Sequence, residues 1–159
     1  MKLTLLLIMS GIAVANMAFA AIGGEIGNGR YIRYENKIAN FEIFYPIEWN
    51  KFELDQNVSF IESKAKPEDR SRVSIAVESL PNVDTLGALL KTLQIMRPFT
   101  RWHETEIGGL RGYQGFDDDG EVAYLVRKPG EAIVLHQRAR ATQSAQEDVK
   151  TILESLQFN

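Results

Sequence analysis

Three turn dipeptides constrain this chain more than any other feature in it. Gly108-Gly109, Asp119-Gly120 and Pro129-Gly130 separate four runs of β-forming residues, 101–107, 110–117, 121–127 and 132–139. Glycine in such pairs supplies the positive φ that a tight hairpin requires, so the successive runs fold back on one another as an antiparallel meander. The two central runs, Val122-Ala123-Tyr124-Leu125-Val126 and Ala132-Ile133-Val134-Leu135, are apolar on both faces. A strand of that kind needs cover on each side. The expected cover is helices or long loops above and below the sheet.

The remaining pattern supplies that cover. Phe41, Ile43 and Tyr45 alternate along one strand face, and Pro46, which has no amide hydrogen, stops its ladder. Further strands are read at 58–62 and through Val73, Ile75 and Val77, with a loop at 66–71 between them. Asp84 is the expected N-cap of a helix whose Leu86, Leu89, Leu90 and Leu93 share a stripe, and Pro98 places its end near Met96. Ser144-Ala145-Gln146-Glu147 has the spacing of a capping box for a closing helix, striped by Val149, Ile152, Leu153 and Leu156. Phe158 is expected to close the packing, and Trp49 to plug one end of the core. No internal repeat or second domain is visible. The expected class is α+β: one domain over residues 31–159, a mainly antiparallel sheet covered by helices on both faces.

The amino end has a different logic. Lys2 precedes an apolar run from Leu3 to Ala15, and Ala18-Phe19-Ala20 supplies the small side chains a signal peptidase accepts. Residues 1–20 are read as a signal peptide cut between Ala20 and Ala21, and residues 21–30, with four glycines, as a flexible lead-in. The expected address is outside the cytoplasm, a bacterial periplasm or the medium. Retention of the segment would instead make the protein a membrane-tethered structural component. The chain has no cysteine, which excludes disulfides, thiol redox chemistry, cysteine-ligated zinc and a lipidated cysteine at the cut. Net charge is −3 with both signs interspersed, which argues against binding nucleic acid or anionic membrane through bulk charge.

Residues with chemical potential are few. His103-Glu104-Thr105-Glu106-Ile107 starts like a zinc-protease helix but carries Ile107 where the second histidine is needed, so His103 reads as a solvent-facing strand residue. His136 reads as hydrogen-bonded near a sheet end. Asp117-Asp118-Asp119-Gly120-Glu121 is the densest carboxylate cluster, yet placing Gly120 at the glycine of a calcium loop puts Gly115 and Val126 at its end ligands. These acids read as a solvated hairpin tip, and no metal or cofactor is implied. There is no Gly-x-Ser-x-Gly elbow. Asn57-Val58-Ser59 fits a glycosylation sequon. The candidate binding surface is an arginine-aromatic patch of Arg97, Arg101, Trp102, His103, Arg111 and Tyr113. Its alternative is aromatics in the core with arginine stems lying over them.

Three segments carry a resemblance: Phe41-Glu42-Ile43-Phe44-Tyr45-Pro46-Ile47-Glu48-Trp49, Ile107-Gly108-Gly109-Leu110-Arg111-Gly112 and Ile152-Leu153-Glu154-Ser155-Leu156-Gln157-Phe158. In their order and spacing they resemble the PsbP-like family, over roughly residues 31–159. The resemblance implies an αβα sandwich used for binding or assembly, with no catalysis. Members include an extrinsic photosystem subunit, a Ran-binding nuclear factor and bacterial envelope proteins, whose partners have little in common, so the fold does not fix the function. The matched positions are structural and transfer no site residue. The resulting expectation is an exported, non-catalytic module engaging an envelope protein or a small ligand. The alternative is a hydrolase whose residues converge only in the fold.

Overall fold

The meander forms where the glycine turns place it. In the computed structural model, which describes residues 25–26 and 29–159, the four runs become strands His103–Ile107, Leu110–Asp117, Gly120–Lys128 and Glu131–Arg138. At the first turn Gly108 and Gly109 have φ of 60° and 81°, the pair of left-handed conformations that a two-residue hairpin needs.

Numbered along the chain, the strands are β1 Glu25–Ile26, β2 Tyr31–Asn36, β3 Phe41–Pro46, β4 Trp49–Leu54, β5 Asn57–Glu62 and β6 Arg72–Ser79, then β7 to β10 for the meander, and β11 Gln157–Phe158. Helix α1 is Leu86–Met96 and α2 is Gln143–Ser155. The strands make two antiparallel sheets, one of seven in the order β4-β5-β6-β10-β9-β8-β7 and one of four in the order β1-β2-β3-β11. The described residues are thus mostly antiparallel sheet with two helices.

Because side chains alternate along a strand, β9 and β10 feed two separate cores. Ala123, Leu125, Ile133 and Leu135 point to one face, where they meet Phe41, Ile43 and Tyr45 of the small sheet, Val149 and Ile152 of α2, and Leu156 just after that helix. Val122, Tyr124 and Val134 point to the other, where they meet Leu89 and Leu93 of α1 together with Val83. Each valine, leucine, isoleucine or phenylalanine among them, when fully buried, contributes about 1.5–3 kcal/mol. Cover on the first face is therefore composite, a helix plus a second sheet. The sequence pattern did not separate β2 and β3 from the main sheet.

Other details depart from expectation for local reasons. The cap of α1 is Thr85, not Asp84, since the Thr85 hydroxyl accepts from the amide of Ala88 at 3.2 Å. Likewise Thr142, not Ser144, caps α2 by accepting from Ala145. In both cases the helix begins near the expected point, and a threonine just outside it takes the orphan amide. Trp49 is buried as expected, but as the first residue of β4, a strand whose remaining positions are exposed. Within the segment read as a lead-in, Glu25 and Ile26 pair with Ile32 and Tyr31. The expected cleavage point at Ala20 and Ala21 lies outside the described residues.

The closing Ser155-Leu156-Gln157-Phe158 stretch has a defined task. The Ser155 hydroxyl accepts from the amide of Phe44 at 2.9 Å and lies 2.8 Å from the carbonyl of Ile152, to which it can donate. It thereby occupies the edge of β3 just where β11 stops pairing with it at Phe41 and Glu42. The Phe158 ring packs against that of Phe41 in a tilted contact, centroids 6.0 Å apart.

Candidate functional site

Strand register brings together residues that are far apart in sequence. Reading across the large sheet on the α1 side, directly opposed residues form one row: Gly115, Val122, His136, Ser74, Ser59 and Phe52. The Ser59 and Ser74 hydroxyls are 2.9 Å apart and hydrogen-bonded. In the neighbouring row Arg138 of β10 stands directly opposite Arg72 of β6, and Arg72 is opposite Ile61 of β5. Helix α1 covers Val122, Tyr124 and Val134, whereas Ser59, Ser74 and His136 keep partial exposure.

The acidic hairpin tip closes one end of this face. Asp117, only 16% exposed, accepts from Nη1 of Arg97 at 2.7 Å, and Nδ1 of His136 lies 3.8 Å away. Asp119 reaches Arg72 at 3.8 Å. Burial works against ionisation of Asp117, but the Arg97 guanidinium and the Asp119 amide outweigh it and hold the carboxyl below its ordinary range. The reading of this cluster as a solvated tip is therefore corrected for Asp117. It is an inward-facing acid placed between an arginine and a histidine. Glu121, on the opposite face of the same hairpin, shows the reverse. Burial raises its pKa, and among the described residues its carboxylate meets only the side-chain amides of Gln114 and Gln137.

The six residues of the expected patch do not form one surface. Arg97, Trp102 and Tyr113 gather around Tyr124: Trp102 meets its ring edge-on at 5.8 Å, and Tyr113 is its cross-strand partner. Trp102 and Tyr113 pack against the α1-side core, which is the alternative reading of these aromatics. The indole N–H of Trp102 has no hydrogen-bond partner among the described residues. Arg111 is exposed and pairs with Glu104 at the sheet edge. Arg101 stands exposed in the α1–β7 connection. His103 is exposed opposite Gln114, one residue out of phase with Tyr113, and so faces the other side.

Sequence reasoning did not single out Arg72, Ser74, Asp117 or Arg138 as parts of one site. Period-two counting assigns each a face, but only the cross-strand register makes them neighbours.

The same frame occurs in known structures. Cyanobacterial PsbP from Synechocystis sp. PCC 6803 superposes with a TM-score of 0.52 at 15% identity, over 89% of this chain and 99% of that one. A protein from Bacteroides thetaiotaomicron superposes with a TM-score of 0.53 at 14% identity, over 80% of this chain and 48% of that one. The fold is PsbP-like. No family model and no curated protein matches the chain by sequence. At such identities the likeness concerns the frame alone, and the polar row on the PsbP-like sheet has to be read from its own residues. Among the described residues, no helix is long and apolar enough to cross a membrane.

Proposed function

We propose that this chain is an exported, non-catalytic accessory module that holds an anionic group of an envelope protein or small ligand against the α1-side face of its large sheet. In this reading the architecture is an αβα sandwich, with α1 as one outer layer and α2 with the small sheet as the other. The carrying observation is Arg72 directly opposite Arg138 on the exposed part of that face. Like charges in directly opposed positions destabilise a sheet. Arg138 donates to a backbone carbonyl, that of Glu68, and among the described residues Arg72 has only the largely exposed Asp119, 3.8 Å away. An incoming carboxylate or phosphate relieves that repulsion and finds the Ser74 hydroxyl and His136 beside it. Export is supported by the signal-like residues 1–20.

The test is a titration of the purified protein with inorganic phosphate and with acetate, followed by amide NMR. Shifts should centre on Arg72, Ser74, His136 and Arg138, and should vanish in the Arg72→Ala/Arg138→Ala double variant. Shifts that persist in that variant, or none at all, would refute the anion-binding reading. Intact mass of the protein recovered from its cells checks export, with loss of residues 1–20 the expected result.

A second reading, a hydrolase, draws on Ser74 opposite His136 and on His136 3.8 Å from Asp117. Against it, the Ser74 hydroxyl is bonded to Ser59, and Asp117 is engaged by Arg97. Turnover of ester substrates that disappears with Ser74→Ala would favour it.

A further inference from the structure

The large sheet ends on β4, which pairs with β5 and, among the described residues, has no strand on its other side. After Trp49 every residue of β4 is exposed, including Phe52 at 57% and Leu54 at 73%. An open edge with protruding apolar side chains is a template for another strand. The question is which strand fits.

We infer that β4 pairs antiparallel with β4 of a second copy of this chain, about a two-fold axis through Phe52, to make a continuous sheet of two subunits. The charge pattern of the strand selects this partner and this register. Lys51 and Glu53 lie on one face, where Lys51 Nζ is 3.1 Å from Glu53 and 4.4 Å from the centre of the Tyr34 ring. Phe52 and Leu54 lie on the other face, opposite Ser59 and Asn57 of β5.

In an antiparallel pair, directly opposed residues share a face, so a two-fold axis normal to the sheet must pass through a residue position. With the axis at Phe52, Lys51 of each copy stands opposite Glu53 of the other, Phe52 meets Phe52, and Asn50 meets Leu54. Moving the axis to residue 51 places lysine opposite lysine. Moving it to residue 53 places glutamate opposite glutamate. Only the Phe52 register is complementary in charge, and it also buries the aromatic pair. The same complementarity covers the edge by self-recognition, and the contact needs no rearrangement of the core beneath Trp49. A six-residue edge buries less than a standard interface, so the dimer is weak and concentration-dependent.

Sedimentation equilibrium over a concentration series on the purified protein tests this. Lys51→Glu and Glu53→Lys should each weaken self-association at least about tenfold, because each variant sets two like-charged pairs across the axis. Mixing the two variants should restore the dimer, since each then presents the charge the other lacks, and the double reversal K51E/E53K should self-associate like the original. Circular dichroism melts of all three confirm that they are folded. A protein that stays monomeric throughout the series, a dimer indifferent to both reversals, or single variants that fail to associate when mixed would each overturn the inference.

Discussion

On one face of the seven-stranded sheet, Leu125, Ile133 and Leu135 are sealed beneath α2 and the small sheet. On the other, Val122, Tyr124 and Val134 are buried under α1, but the same face continues into His136 and Arg138 on β10 and Asp117 on the neighbouring β8. One backbone supports both faces, and they differ in how far the cover extends. The sealed face has two elements above it and consists largely of apolar contacts. The α1 face has a single helix of 11 residues, which leaves room for polar groups that interact with each other and with solvent. Stability should therefore be concentrated on the first face and chemistry on the second.

The sharpest way to break this comparison is at the closest backbone approaches. A Cβ at Gly112 would fall 1.8 Å from the carbonyl oxygen of Tyr124, so β8 and β9 could not keep their spacing. Gly112→Ala should remove more than about 3 kcal/mol, or prevent folding, whereas Gly87→Ala, with nothing within 4 Å, should stabilise α1 by about 0.5–1 kcal/mol. Thermal melts of the two variants distinguish these outcomes. Within the sealed core, Phe60→Ala should cost about 3–5 kcal/mol in urea unfolding. Ser74→Ala on the α1 face should stay within about 1 kcal/mol, the net value of one hydrogen bond. Equal losses at the two positions would show that the faces do not divide stability in this way.

The β8–β9 hairpin carries the same contrast in its ionisation. The folded pKa of Asp117 is lowered, so its stabilising contribution is present above the unfolded carboxyl value of about 4 and is lost as pH falls through the folded value. Asp117→Asn should cost about 1–3 kcal/mol at neutral pH, and the difference from the parent should close in acid. Glu121 has the opposite sign. Its raised folded pKa means that ionisation costs stability above that value, and the cost disappears as pH falls below the unfolded value of about 4.3. Carboxyl-carbon NMR should show Asp117 titrating below its peptide reference and Glu121 above it.

The smallest effects concern the helix starts. Thr142→Ala should cost about 1 kcal/mol, while Ser144→Ala should stay within about 0.5 kcal/mol, because only Thr142 takes an orphan amide of α2. A reversed order would return the cap to the Ser144 box.

The strand pattern of the meander was readable to within about two residues, because glycine turns and period-two alternation are local properties of the chain. The same holds for the leucine stripe of α1, its end at Met96, and the burial of Val149 and Ile152 on α2 and of Leu156 at its end. Caps were harder to place, since Asp84 and Thr85 are both good cap residues and the choice depends on where the backbone enters the helix. The candidate site was legible only in fragments. The sequence presents Arg97 as part of an arginine-aromatic patch, Asp117 as part of an acidic hairpin tip and His136 alone, and it gives Arg72 no distinguishing signal.

What the sequence determined by itself is the set of elements and the two-sided apolar character of β9 and β10, since turn chemistry and side-chain alternation act over a few residues. It also set the absence of disulfides. Only the tertiary structure decided that the early strands divide between two sheets, that Thr85 and Thr142 are the caps, and that Arg72 meets Arg138 while Asp117 turns inward to Arg97. The caps depend on where the backbone enters each helix, and the other relations join residues 20 or more positions apart. Register and sheet membership are settled by which faces can be buried together, a condition on the whole chain that no short segment contains.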